Sequence, residues 1–190
     1  MPAQTTIPNS RNRGPRDGSA NMKETLFTEM QEADLPAVLG IYNHYISTTT
    51  ATFDPGPVSM DIFKTRVLLN HELYGAYVIR SEGVVAGFCF LCPFKKHEAY
   101  NRTAEFGIYL KPGCTHKGLG TKAVEHLVQV ATVSGLKMLI ASISGENTHS
   151  IALFRKIGWQ ECAHFREVGE KWGRAIDVIF FQKKLRSGNA

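Results

Sequence analysis

The sequence predicts a single α/β domain built on a mixed β-sheet, and three observations carry that prediction. Apolar residues switch between period-two runs and helical faces in the order β-α-α-β-β-β-α-β-α-β-β. Two early strand runs are joined tightly enough for a hairpin, whereas helices separate the later runs and allow a parallel crossover. At 190 residues, 43% of them hydrophobic, the chain has room for one buried core.

Each element follows from local pattern. Residues 23–30 read as a short strand. Asp34-Leu35-Pro36 supplies an N-cap residue and a proline in the first turn, after which Val38, Leu39, Tyr42 and Ile46 mark one helical face. Ser59-Met60-Asp61 opens a second helix expected to carry Ile62, Val67 and Leu69. Residues 75–81 and 84–93 are β-rich runs parted by Glu82-Gly83, a hairpin signal. Residues 103–110 form a third strand pattern. Residues 118–134 are helical, with Leu119, Ala123, Leu127, Val130 and Ala131 on one face and Gly135 as the stop. A short apolar strand at 138–143, a helix at 151–157 ended by Gly158, and strands at 160–168 and 175–184 complete the order.

Residues 1–21 hold Pro, Gly, Ser, Asn and Arg, with Ile7 the only large aliphatic side chain after Met1, so a disordered tail is expected there. Met22 offers an alternative start. The folded domain is expected over 22–185, with a short tail at 186–190. Net charge is +5, from 22 Lys and Arg against 17 Asp and Glu. The tail's three arginines against one aspartate account for +2, leaving +3 on the body. That excess suits a small polyanion better than a duplex, and no nucleic-acid partner is expected. No apolar run approaches the ~20 residues of a bilayer span, so no membrane partner is expected either. Four scattered cysteines form no disulfide framework, and a cytoplasmic location is the reading.

Chemistry concentrates at Lys-Pro-Gly-Cys-Thr-His-Lys-Gly-Leu-Gly-Thr (111–121), which links a strand to a helix. A strand, a glycine loop and a helix N-terminus together gather unpaired amides and a favourable dipole for an anion, and Lys117 adds a cation. A plain tight connection is the structural alternative. The P-loop pattern fails because Leu119-Gly120 stands where Lys-Ser/Thr is required. Gly118 to Ala123 satisfies G-x-G-x-x-A, but no acidic residue precedes Glu146 in the ribose-binding window, and seven residues separate strand from first glycine.

The same loop resembles the Q/R-x-x-G-x-G/A motif of the GCN5-related N-acetyltransferases (GNAT family), with Gly118 and Gly120 in place. Thr115 stands where Gln or Arg is usual, and His116 where a glycine is common. Residues 146–159, Glu-Asn-Thr-His-Ser-Ile-Ala-Leu-Phe to Gly-Trp, are similar to a second segment of that family. Collinear matches over about 26–182 resemble its phosphinothricin/methionine sulfoximine acetyltransferase branch: Ile41-Tyr42-Asn43, 49–53, 84–87, Pro93-Phe94-Lys95, Ala99-Tyr100, Thr103-Ala104-Glu105, Ile108-Tyr109 and 168–178.

The resemblance implies a GNAT fold, with a mostly antiparallel mixed sheet splayed at its centre and flanked by helices. It implies acetyl-CoA as cosubstrate, a small amine acceptor and a homodimer. It places the coenzyme on Ile108, Tyr109 and Leu110, on His116, Lys117, Gly118, Leu119, Gly120 and Thr121, and on Asn147 and Ser150. Glu105 matches the general base, in a strand where an unpaired carboxylate is costly and is otherwise an edge or salt-bridged acid. Glu98, Ala99, Tyr100, Phe106 and Gly107 match segments lining the acceptor. Phe53, Lys171 and Arg174 offer an aromatic wall and cations for an acidic acceptor; for the two cations the alternative is a solvated hairpin. Asn147 also suits a plain helix N-cap.

The expected reaction is direct acetyl transfer to an α-amino group through a tetrahedral intermediate, with phosphinothricin, methionine sulfoximine or methionine sulfone as acceptor types and herbicide resistance as a corollary. The alternatives are another amine (polyamine, aminoglycoside or protein N-terminus) or a non-catalytic acetyl-CoA-binding module. Phe154 stands where many members carry a tyrosine, so no general acid is assigned. Cys89 and Cys92, three apart in a strand, point to opposite faces, and no histidine pair has ligand spacing, so no metal is expected.

Overall fold

The computed structural model describes residues 25–186. The expected N-terminal tail lies outside the described residues, as do all residues of the C-terminal tail except Arg186. Eleven main elements follow in the expected order: β1 Thr25–Glu29, α1 Leu35–Thr48, α2 Met60–Lys64, β2 Ala76–Ser81, β3 Val84–Pro93, β4 Thr103–Leu110, α3 Leu119–Val133, β5 Met138–Ser144, α4 Thr148–Lys156, β6 Gln160–Lys171 and β7 Arg174–Lys184.

Local chemistry sets the boundaries. Pro36 sits in the first turn of α1, and the Ser59 hydroxyl caps α2 by accepting from the Ile62 amide. That helix is shorter than its apolar spacing suggested, ending at Lys64, so Val67 and Leu69 follow it rather than extend it. Conversely, α4 begins three residues early because Asn147 caps it. Glu82 and Gly83 both take positive φ (54° and 78°), the turn whose twist matches a two-residue hairpin.

The strands form one sheet in the order β1-β2-β3-β4-β5-β7-β6. Every neighbouring pair is antiparallel except β4 with β5, which run parallel and pair only through Thr103–Met138, Ala104–Leu139 and Glu105–Ile140. Beyond Glu105 the two strands part. The sheet is therefore splayed at its centre, as the family resemblance implied.

Each face of the sheet carries a core. Helices α3 and α4 cover one face, around Leu127, Leu139, Phe154 and Phe181. Helix α1 and Phe63 of α2 cover the other, around Val38, Ile46 and Phe88. Strand alternation sends Ala104, Phe106, Ile108 and Leu110 to the first core and Tyr109 to the second.

Candidate active site

The parting of β4 from β5 creates the central cleft, and the backbone of β4 determines what lines it. The Lys111 amide donates to the Ala86 carbonyl at 2.7 Å, across to β3. Amides alternate sides along a strand. Those of Tyr109, Gly107 and Glu105 therefore address β3, whereas those of Phe106, Ile108 and Leu110 turn towards the side β5 has left. Tyr45 on α1 donates its hydroxyl to the Leu110 carbonyl at 2.8 Å, tying that helix to the far end of the strand.

Glu105 stands at the fork, in the last rung shared with β5 and opposite Cys92 on β3. Its carboxylate makes no hydrogen bond or ion pair among the described residues. Burial pushes it above the usual carboxylate range, and the charge of Lys95 opposes that only in part. A carboxylate of raised basicity, reachable and uncommitted, is suited to take a proton from an ammonium. Burial, with a smaller contribution from Glu105, pushes the Cys92 thiol up to about 12, so it stays protonated. Cys89 is sealed in the opposite core, as the spacing predicted.

The loop between β4 and α3 is shaped by three left-handed residues: Gly113 (φ 81°), His116 (φ 60°) and Gly118 (φ 78°). His116 thus takes, with a side chain, a conformation that favours the glycine common at its position. Gly118 caps α3. The first ring closes from the Lys122 amide to the Gly118 carbonyl, which leaves the Leu119, Gly120 and Thr121 amides of the first turn open to an anion. The start of α4 lies beside this turn: the rings of His116 and His149 are 5.1 Å apart, and a Cβ on Gly120 would meet Leu153 at 3.7 Å. Asn147 accepts from the Ser150 amide at 3.1 Å. Its capping role is thus real, and its own NH2 is uncommitted among the described residues.

Phe154 is buried among Phe106, Trp159 and Phe181, with ring centroids 5.1–6.0 Å away. No proton donor stands at that position.

The acceptor-side residues divide. Glu98, Ala99 and Tyr100 form an exposed single turn before β4, with Tyr100 edge-on to Phe94. Phe106 sends its side chain to the α3/α4 core, so only its backbone reaches the cleft. Arg174 is on the solvated rim and pairs with Glu146 at 3.0 Å. Lys171 corrects the sequence reading: it is neither a solvated hairpin residue nor an open cation. It is 3% exposed, and its ammonium donates to the carbonyls of Thr49 at 2.8 Å and Thr52 at 2.7 Å. Phe53 lies against Gly169, where a Cβ would come within 2.6 Å of the ring. With Ser142, Phe165, Val168 and Val178 it lines an open apolar hollow of about 430 Å³.

Sequence reasoning missed the polar group beneath this wall. Arg66 forks onto Asp54 at 2.6 and 2.9 Å, and Tyr42 and Thr52 donate to the same carboxylate at 2.8 and 3.0 Å. Burial alone would raise the Asp54 pKa, but these hydrogen bonds and the Arg66 charge hold it below the ordinary range. Nothing in the spacing of Asp54 and Arg66, across a Pro-Gly-Pro turn, announces the pair.

The profile described as "Acetyltransferase (GNAT) family" matches residues 38–159, and the chain belongs to that family. It is an N-acetyltransferase whose donor is acetyl-CoA. An L-methionine sulfoximine/L-methionine sulfone acetyltransferase of Pseudomonas aeruginosa is 31% identical over 157 residues, covering 80% of this chain and 90% of that protein. A phosphinothricin N-acetyltransferase of Streptomyces viridochromogenes is 32% identical over 151 residues, covering 80% and 82%. Among solved structures, a GNAT superfamily phosphinothricin acetyltransferase of Sinorhizobium meliloti in complex with AcCoA superimposes with a TM-score of 0.81 at 30% identity, covering 87% of this chain and 90% of that one. Among the described residues no group of three or more His, Cys, Asp or Glu is placed to hold a metal.

Proposed function

We propose that the chain transfers acetyl from acetyl-CoA to the α-amino group of a small amino-acid-like acceptor of the phosphinothricin, methionine sulfoximine or methionine sulfone type. The carrying observation is Glu105: an uncommitted carboxylate of raised basicity at the fork from which the free amides of β4 begin. Relatives with those acceptors in their names support the substrate class.

In this reading Glu105 takes a proton from the acceptor ammonium, directly or through water, and the amine attacks the thioester carbonyl. The tetrahedral oxyanion draws on cleft-facing amides of β4, the carbon–sulfur bond breaks, and coenzyme A leaves as a thiolate. No acid is assigned to that thiolate, because Phe154 has no proton to give. Pantetheine lies along Ile108–Leu110, with Tyr109 holding the register between the two cleft-facing amides. The diphosphate sits on the amides of 116–121 beside Lys117, with Asn147 and Ser150 flanking it. Phe53, the 98–100 turn and the backbone of Phe106 and Gly107 bound the acceptor.

A homodimer belongs to the same reading. The edge strand β6 exposes Phe165 and Val168 beside Phe53, an apolar face that a second copy would cover. Cytoplasmic location and resistance to a phosphinothricin herbicide also belong to it. The test is coenzyme A release by the purified chain across a panel of amines. Turnover with methionine sulfone or phosphinothricin is expected; turnover only with peptides, polyamines or aminoglycosides reassigns the acceptor. Tight acetyl-CoA binding without release from any amine would make the chain a binding module.

A further inference from the structure

We propose that Lys171, with Asp54, is a positioning residue that locks residues 49–54 so that Phe53 forms a fixed wall on the acceptor side, setting which acceptor side chains are admitted. The inference rests on the acceptor reading above and deepens it.

A buried ammonium is expensive unless its donors are satisfied. No carboxylate lies within ion-pair distance of Lys171 among the described residues. Two backbone carbonyls, of Thr49 and Thr52, accept its hydrogen bonds instead, and the Trp172 ring lies 4.8 Å from the ammonium. A position that only had to fill space would cost less with an aliphatic side chain. What the ammonium adds is a grip on two carbonyls of one short segment.

The same segment is fastened twice more. The Thr50 and Ser144 hydroxyls meet at 2.9 Å, both buried, joining it to β5. Asp54 ends it in the fork of Arg66 and under the Tyr42 hydroxyl. The Tyr42 ring in turn packs edge-on to Tyr109 at 5.0 Å, which gears the fastening to the strand that carries Glu105. Residues 49, 50, 52 and 54 are thus held while Phe53 projects between them, 37% exposed, onto the bare backbone of Gly169. The side-chain hydroxyls of Thr49, Thr50 and Thr52 and the Asp54 carboxylate are all hydrogen-bonded, and the segment's one large apolar side chain faces out.

The test uses the full chain carrying Lys171→Met. Amide hydrogen exchange at residues 51–53 should quicken by about ten-fold or more while β2 and β3 amides hold their rates. The acceptor KM should rise about ten-fold with the acetyl-CoA KM moving less than about two-fold. In a Phe53→Ala background the KM effect of Lys171→Met should shrink to under about two-fold, because the wall it positions is gone. Unchanged exchange at 51–53 overturns the proposal, and so does a KM effect that persists in full without Phe53, which would make Lys171 a direct contact of the acceptor. Should Lys171→Met not fold, Asp54→Asn is read by the same measurements with the same outcomes. A wild-type chain that turns over no amine defeats the acceptor reading, and the exchange measurement then decides the anchoring alone.

Discussion

The donor side and the acceptor side of the cleft are made of different material. In the proposed reading the donor side is backbone: amides of β4 beyond the fork, the open first turn of α3 and the capped start of α4, nearly all from one stretch of chain. The proposed acceptor side is side chains, brought from 53, 98–100 and 142 and from β6, and steadied by polar contacts that add Tyr42 of α1 and Arg66 to residues 49–54, Ser144 and Lys171. Backbone geometry survives most substitutions, whereas a wall of side chains changes with each one. If the proposed division holds, substitutions should alter acceptor choice more readily than donor choice.

That contrast can be broken most severely at the point where the two sides meet. Glu105→Gln should lower kcat/KM by about 10²–10⁴-fold with acetyl-CoA affinity kept, since only the proton acceptor is lost. In the wild type the rate should fall as pH drops through the raised Glu105 value, because the base is then protonated; steady-state rates against pH should lose that limb in the variant. On the donor side, Gly118→Val forces a β-branched residue to a φ of 78° and should raise the acetyl-CoA KM by about ten-fold or more while leaving acceptor preference as it was.

On the acceptor side, Asp54→Asn should cost about 1–3 kcal/mol in denaturant unfolding, since Arg66 and Tyr42 lose their charged partner. Its folded pKa lies below its unfolded value, so that contribution is whole above the ordinary carboxylate range and is lost as pH falls through the folded value. Phe154→Tyr should leave turnover in place and cost about 1–2 kcal/mol by thermal unfolding, because a hydroxyl enters an apolar cage. Away from both sides, His126 stacks on Phe27 with a buried Nε2 that has no hydrogen-bond partner among the described residues. Replacing it with Phe should stabilise the fold by about 1 kcal/mol in the same assay and leave kinetics alone.

What could be read from the sequence follows the same division. The β4 strand, the glycine loop and α3 were legible because each depends on spacing within a few residues: alternation at 103–110, a helix start at Gly118, a stop at Gly135. Glu105 stood out for the same reason, as a lone acid in an apolar strand. Lys171 was misjudged because its charge suggested solvent, while its burial depends on the carbonyls of residues more than a hundred positions away. Asp54 and Arg66 carried no local signal at all. The early end of α2 was hidden by apolar residues such as Val67, which is buried after the helix rather than within it.

The three-rung seam between β4 and β5 has a mechanical consequence. Among the described residues it is the only strand pairing between the four-stranded slab β1–β4 and the three-stranded slab β5, β7, β6. In the proposed reading the donor accepts hydrogen bonds from the bare edge of β4 as a substitute rung, so filling the gap should also stiffen the protein. Resistance to heat should therefore climb with donor concentration. Hydrogen exchange at the β4–β5 seam should slow as the donor is added.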